Sequence, residues 1–205
     1  SAPTAPVEAP AIRQPAAPLV EAAPAASPAS EAPVPRRAAA ERPALPSAAD
    51  FPDVLAGKDR DSIAAAALTA LTRRFLRAAI FTAKPKVVSG WAAAGEAVDL
   101  SRFRMVEIPW NEPSVFLNVR LSRAFYLGPL PPLPRHEAIA QAMAGWPDEC
   151  VVQPVMIREK PVAFFYAEFT REHGATPLDL AFLRELAAAA SSAFAAAIRL
   201  KKKEI

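Results

Sequence analysis

One cysteine, two histidines, six glycines and a formal net charge of only +3 are spread over 205 residues. The lone thiol, Cys150, builds no disulfide framework and fits a reducing compartment. His136 and His173 stand far apart, and neither joins a cluster with metal-ligand spacing, so no metal site is expected. The sequence also lacks a Gly-x-Gly-x-x-Gly run and a Gly-Lys-Ser/Thr loop, the usual glycine-rich cradles for phosphate. Glu168 and Glu172 form a nominal carboxylate pair, but a strand end and a loop are expected to leave both on the surface. These absences leave no catalytic constellation, and the expectation is a non-enzyme without cofactor.

Long apolar runs are missing too. The nearest, Leu186 to Ile198, is short, mostly alanine and broken by Ser191 and Ser192, well under the roughly 18 residues of a membrane span. The first residues show neither the basic start nor the apolar core of a leader segment. A soluble, cytoplasmic domain with no membrane span is therefore expected.

What is present divides in two. The first fifty residues hold 18 Ala and 11 Pro with no aromatic and no glycine, a composition that buries little and holds the chain near polyproline II. Residues 1–52 read as a disordered Ala/Pro-rich tether. All sixteen aromatics follow the first fifty residues, which assigns the core to a domain over residues 53–205. The surplus charge gathers at Arg199, Lys201, Lys202 and Lys203, where a helix end favours cations. That placement speaks against a nucleic-acid-binding face and reads as a solvated helix end, and it leaves room for contact with an acidic partner or a membrane surface.

Within the domain, Asp59 or Asp61 caps a helix carrying Leu68 and Leu71, with Phe75 at the next helical step. Two strands follow, Ala78 to Thr82 and Val87 to Trp91, turning at Lys84-Pro85; Gly90 marks a bulge or a close backbone approach. Arg102 to Trp110 alternates Phe103 and Met105 and reads as a third strand. Asn111 reads as the N-cap of a helix ending near Ser122. A short strand, Ala124 to Leu127, precedes the Gly128 to Pro134 loop and a helix from Arg135 to Ala144, with His136 exposed near its start. Strands Cys150 to Ile157 and Val162 to Phe169 flank a turn at Arg158 to Pro161. Thr176, Pro177 and Asp179 then open a final helix that reaches Lys203. This order predicts an α+β domain: a central antiparallel sheet of about six strands flanked by helices, with a long C-terminal helix. The row Leu180, Leu183, Ala187, Ala190, Phe194 and Ala197 steps like a coiled-coil seam, and a second row, Leu178, Phe182, Leu186, Ala189 and Ala193, widens the apolar face. It reads either as the face of an alanine-rich core helix or as one row on the sheet and the other on a partner helix, and a homodimer through this helix is expected.

Several stretches carry a family resemblance: Phe75 to Phe81 followed by Val88 to Gly95, then Ile108-Pro109-Trp110, the paired strands Val155 to Ala167, and Phe182 to Leu186 in the last helix. In these the domain resembles the GAF domain family over roughly Ile63 to Leu200. The element order also fits the related PAS fold, while the roadblock/longin group lacks the strand and helix between Tyr126 and Trp146. The resemblance implies a regulatory or sensory module, often dimeric through its terminal helices and tethered to other signalling proteins or domains. Relatives that bind cyclic nucleotides carry an Asn-Lys, Phe and Asp-Glu signature where this chain reads Tyr166 to His173, so that ligand is not implied. A bilin needs a pocket-loop cysteine, whereas Cys150 opens a core strand. A pocket, where such folds keep one, would be lined by Trp110, Phe116, Phe125, Tyr126, Leu130, His136 and Trp146. The alternative to an interaction module is a small-molecule sensor whose ligand shifts the terminal helix.

Overall fold

The computed structural model describes residues 45–169, 172 and 174–203. The expected tether up to residue 44 and the turn assigned to His173 lie outside the described residues.

Six antiparallel strands make one sheet in the order β3-β2-β1-β6-β5-β4. They are β1 (Arg77–Ala83), β2 (Val87–Gly95), β3 (Glu107–Pro109), β4 (Tyr126–Gly128), β5 (Glu149–Ile157) and β6 (Lys160–Phe169). Side chains alternate across a strand, and in the middle of this sheet both faces are apolar. Along β6, Ala163, Phe165 and Ala167 join one core cluster while Phe164 and Tyr166 join the other. Along β1, Ala78 and Ile80 face one way, Ala79 and Phe81 the other. A sheet apolar on both faces must be covered on both.

One face is covered by α1 (Pro52–Leu55), α2 (Arg60–Thr72) and α6 (Pro177–Lys203). The other is covered by α3 (Leu100–Arg104), α4 (Val115–Ser122) and α5 (Pro134–Ala142). Asp59 caps α2, its carboxylate accepting from the Asp61 and Ser62 amides. At α6 the box is reciprocal: the Asp179 amide donates to the Thr176 hydroxyl at 3.2 Å, and the Thr176 amide to the Asp179 carboxylate at 3.0 Å. The Asp179 carboxylate also accepts from Arg74 at 2.5 Å, tying the start of α6 to the end of α2. Core packing begins at Phe51, on the tether side of the expected boundary; its ring meets Phe182 of α6 edge-on at 5.2 Å.

Two elements differ from the expectation. The stretch read as a third strand from Arg102 is helical through Arg104, because Asp99 caps it and Phe103 and Val106 bury at a spacing of three. Met105, expected to face inward, is 81% exposed. The cap of α4 is Ser114 rather than Asn111: its hydroxyl accepts from the Leu117 amide at 3.1 Å, leaving Pro113 outside the helix. The hairpin between β5 and β6 is also tighter than expected. Only Arg158 and Glu159 turn, and Pro161 already pairs with Met156.

Candidate functional site

The face under α3, α4 and α5 was the expected place for a pocket. There the rings of Phe81, Phe103, Phe116, Phe164 and Tyr166 contact one another at 4.6 to 6.1 Å between centroids. This packing fills the layer. Each such ring contributes about 1.5–3 kcal/mol by leaving water, so this is an aromatic core. Of the expected lining residues, Phe116, Leu130 and His136 are buried, Trp110 and Tyr126 are half-buried, and Phe125 and Trp146 are each 47% exposed. Trp110 is fixed at the sheet margin by its indole N–H, which donates to the Lys84 carbonyl at 2.8 Å, with the Arg120 guanidinium 4.5 Å from its ring. Of the seven, Trp110 lines a surface cleft, beside Lys84 and Arg120.

His136, expected to be exposed, is fully buried. Its Nε2 accepts from the Val115 amide at 3.2 Å, and its Nδ1 lies 2.8 Å from the Pro131 carbonyl. The neutral tautomer with hydrogen on Nδ1 satisfies both partners and pins the proline loop to the start of α4. Burial holds its pKa below the ordinary value, partly offset by the Pro131 carbonyl.

Glu168, expected on the surface, is buried as well. Its carboxylate accepts from Tyr166 at 2.7 Å and from Arg77 at 2.5 Å. Burial raises its pKa, while Tyr166 and Arg77 pull the other way. Cys150 shares this layer. Burial first, and the Glu168 charge second, push its thiol up to about 12, where it is neither nucleophile nor metal ligand at neutral pH. Among the described residues, no three His, Cys, Asp or Glu side chains are placed to hold a metal ion. No buried side-chain nitrogen or oxygen among them lacks a partner.

The expected dimer seam is spent inside the chain. Leu183, Ala187, Ala190, Phe194 and Ala197 are buried in the core against the sheet and α2, and Leu180 packs at its edge. The second row, Leu186, Ala189 and Ala193, is buried in the same cluster. A full α-helix needs about 3.6 residues per turn, so two adjoining rows make one broad face; here it packs on the sheet, α1 and α2, with Phe194 and Ala197 at its open margin. By length and composition, Pro177–Lys201 is apolar enough to cross a membrane, but this apolar face belongs to the folded core.

A cleft of about 270 Å³ does exist, on the α6 side of the sheet. Trp91 forms one wall. It is the extra residue of a bulge in β2, where Ile80 pairs with Ala92 and Phe81 with Gly90. Gly90 is required there, since a Cβ would sit 2.0 Å from the Phe103 carbonyl oxygen. The indole lies 6.2 Å from the Phe194 ring, and the Arg60 guanidinium stacks 4.1 Å from it. Ile157, Val162, Ile198 and Lys201 complete the walls. The trace this cleft leaves in the sequence is Gly90 followed by Trp91.

No family model matches the sequence, and no curated protein matches it. Solved structures do match. The GAF domain/HD domain protein from Geobacter sulfurreducens aligns over 77% of this chain and 99% of its own, with a TM-score of 0.55 and 14% identity. The GAF domain of a phosphoenolpyruvate-protein phosphotransferase from Coxiella burnetii aligns over 77% and 99%, with a TM-score of 0.58 and 12% identity. Free methionine-R-sulfoxide reductase from Neisseria meningitidis, solved with its substrate, aligns over 75% and 93%, with a TM-score of 0.55 and 16% identity. The domain therefore has a GAF-like fold, an architecture found here in signalling proteins and in an enzyme.

Proposed function

We propose, on the premise of that GAF-like fold, that the chain is a non-catalytic regulatory module working through protein–protein contact within a larger signalling assembly. The filled aromatic layer carries this reading: where a ligand site was the alternative to a filled core, the rings of Phe81, Phe116 and Phe164 touch and every described buried polar side-chain atom is paired. The likeness to a reductase does not extend to thiol chemistry, which needs a reachable, ionisable cysteine; Cys150 is buried, with its pKa near 12.

A thermal-shift screen with nucleotides and free methionine sulfoxide tests the reading. No compound should raise the melting temperature, because ligands that bind only the folded state stabilise it by mass action. Stabilisation, or turnover of methionine sulfoxide, would overturn it. The cleft beside Trp91 supports a second reading, a small-molecule sensor; a stabilising compound whose effect disappears in Trp91→Ala would select that one. Pairing of two copies remains part of the proposal, measured by light scattering. Since the Leu183 to Ala197 row is internal, such pairing uses other surfaces.

A further inference from the structure

The cleft beside Trp91 continues into a second depression that shares Ile157, Val162 and Ile198 with it and runs along the last turns of α6. Five cations line the joined groove: Arg60, Arg158, Lys160, Arg199 and Lys201. No acidic side chain lines it among the described residues. Among the described residues none of the five forms a salt bridge, although Asp59 lies near enough to Lys201 to feel its charge, whereas at the opposite end of the sheet Arg74 and Arg77 are bound to Asp179 and Glu168.

A helix C-terminus accounts for Arg199 and Lys201. It does not account for the others. Arg60 is the first residue of α2, where the helix dipole disfavours a cation, and Arg158 and Lys160 stand at the β5–β6 hairpin. Their shared position brings positive charge to the rim of an apolar trough floored by Ile157, Val162 and Phe194.

We infer that this groove docks an acidic amphipathic segment of a partner protein, with apolar side chains against Trp91, Phe194 and Ile198 and carboxylates toward the five cations. The inference rests on the interaction-module reading and names the partner's chemistry. Charge complementarity selects an acidic occupant. The elongated shape, continuing past the first cleft, selects a chain over a compact molecule. The concavity argues against a membrane, because a flat bilayer surface would touch the exposed Ile198 and Leu200 without reaching Phe194. Nucleobases would need open aromatic faces to stack on, whereas Phe194 shows only 7% of its surface and Arg60 takes one face of Trp91, leaving edges that suit aliphatic side chains better.

The experiment is fluorescence anisotropy of the whole chain with a labelled amphipathic helix bearing leucine on one face and glutamate on the other. A twin with lysine in place of glutamate, phosphatidylserine vesicles and a single-stranded DNA oligomer serve as competing probes. The glutamate peptide should bind, weaken with salt, and lose about tenfold in affinity in Ile198→Glu. The double variant Arg60→Glu/Lys201→Glu should switch preference to the lysine twin, an outcome that misfolding cannot produce. Equal binding of the two peptides, no effect of either variant, or binding of vesicles or DNA in preference to the peptide would overturn the inference. A chain that ignores the glutamate peptide while the nucleotide and methionine sulfoxide screen stays silent loses this groove but keeps the interaction-module reading. Stabilisation in that screen counts against that reading itself.

Discussion

The Tyr166 hydroxyl donates to the Glu168 carboxylate at 2.7 Å, two residues along the same strand and on the same buried face. When ionised, the carboxylate holds its charge inside a buried, largely apolar layer. Tyr166→Phe should therefore cost about 1.5–3 kcal/mol, the range for a hydrogen bond to a charged group. Glu168 has its pKa raised by burial, so its contribution is greatest below the ordinary value of 4.5 and is lost as pH rises through the folded value. The Tyr166 hydrogen bond works against that burial, favouring the ionised carboxylate and lowering its pKa, so the penalty of Tyr166→Phe should shrink as acid protonates Glu168. Urea titrations of both proteins across that range would show it; a penalty that does not vary with pH would sink the idea.

Cys150 should be inert in the folded chain. With a thiol pKa near 12, iodoacetamide at neutral pH should label it only after denaturation, as mass spectrometry can read. The stability it lends is present below its ordinary value of 9.0 and is lost as pH climbs toward 12. Rapid labelling of the native protein would contradict the burial.

His136 gives the opposite pH dependence. Its lowered pKa means that stability is present above 6.5 and lost as pH falls below it, because protonation of Nε2 removes the acceptor for the Val115 amide. His136→Leu should cost about 2 kcal/mol at neutral pH by leaving the Val115 N–H and Pro131 C=O unpaired. The gap between the two proteins should narrow under acid, and denaturation curves in which it stays constant would refute the pinning role.

Gly90→Ala should destabilise by about 3 kcal/mol, since the new methyl collides with backbone instead of a side chain that could turn away. The loss should come with a change in Trp91 fluorescence, because the bulge places that ring. A variant with the parent's urea midpoint would show that the Phe103 carbonyl moves freely.

Local chemistry explains why some elements were legible in the sequence. Thr176, Pro177 and Asp179 announce the start of α6 within four residues, and Gly90 announces the bulge, because each meets its partner nearby or has no side chain to place. The five residues of α3 are too few to show a helical period, so the Phe103 and Met105 alternation imitated a strand. The position of His136 depends on Val115, twenty-one residues away, and that pairing leaves no local trace. The seam along α6 was visible as spacing, but spacing does not say whether a sheet or a second copy receives it. The groove was hidden for a further reason: β2, the β5–β6 hairpin and α6 each supply only part of its walls.

α6 is attached at separate points along its length. Asp179 grips Arg74 at the start, and midway the Ser191 hydroxyl donates to the Met156 carbonyl, beside the irregularity in β5. Beyond Ser191 the helix stays bedded through Ala193, Phe194 and Ala197, and only then do Ile198 and Leu200 come into the open. Mechanically this is a beam clamped at its start, pinned at mid-span and bedded along its length, with a short overhang past Ala197. Sliding along its axis would break both polar attachments together, whereas bending the last turn breaks neither. A load applied at Ile198 or Lys201 would thus be taken up first by that last turn and by Ile157 and Val162 beside it, next to the turn at Arg158 and Glu159.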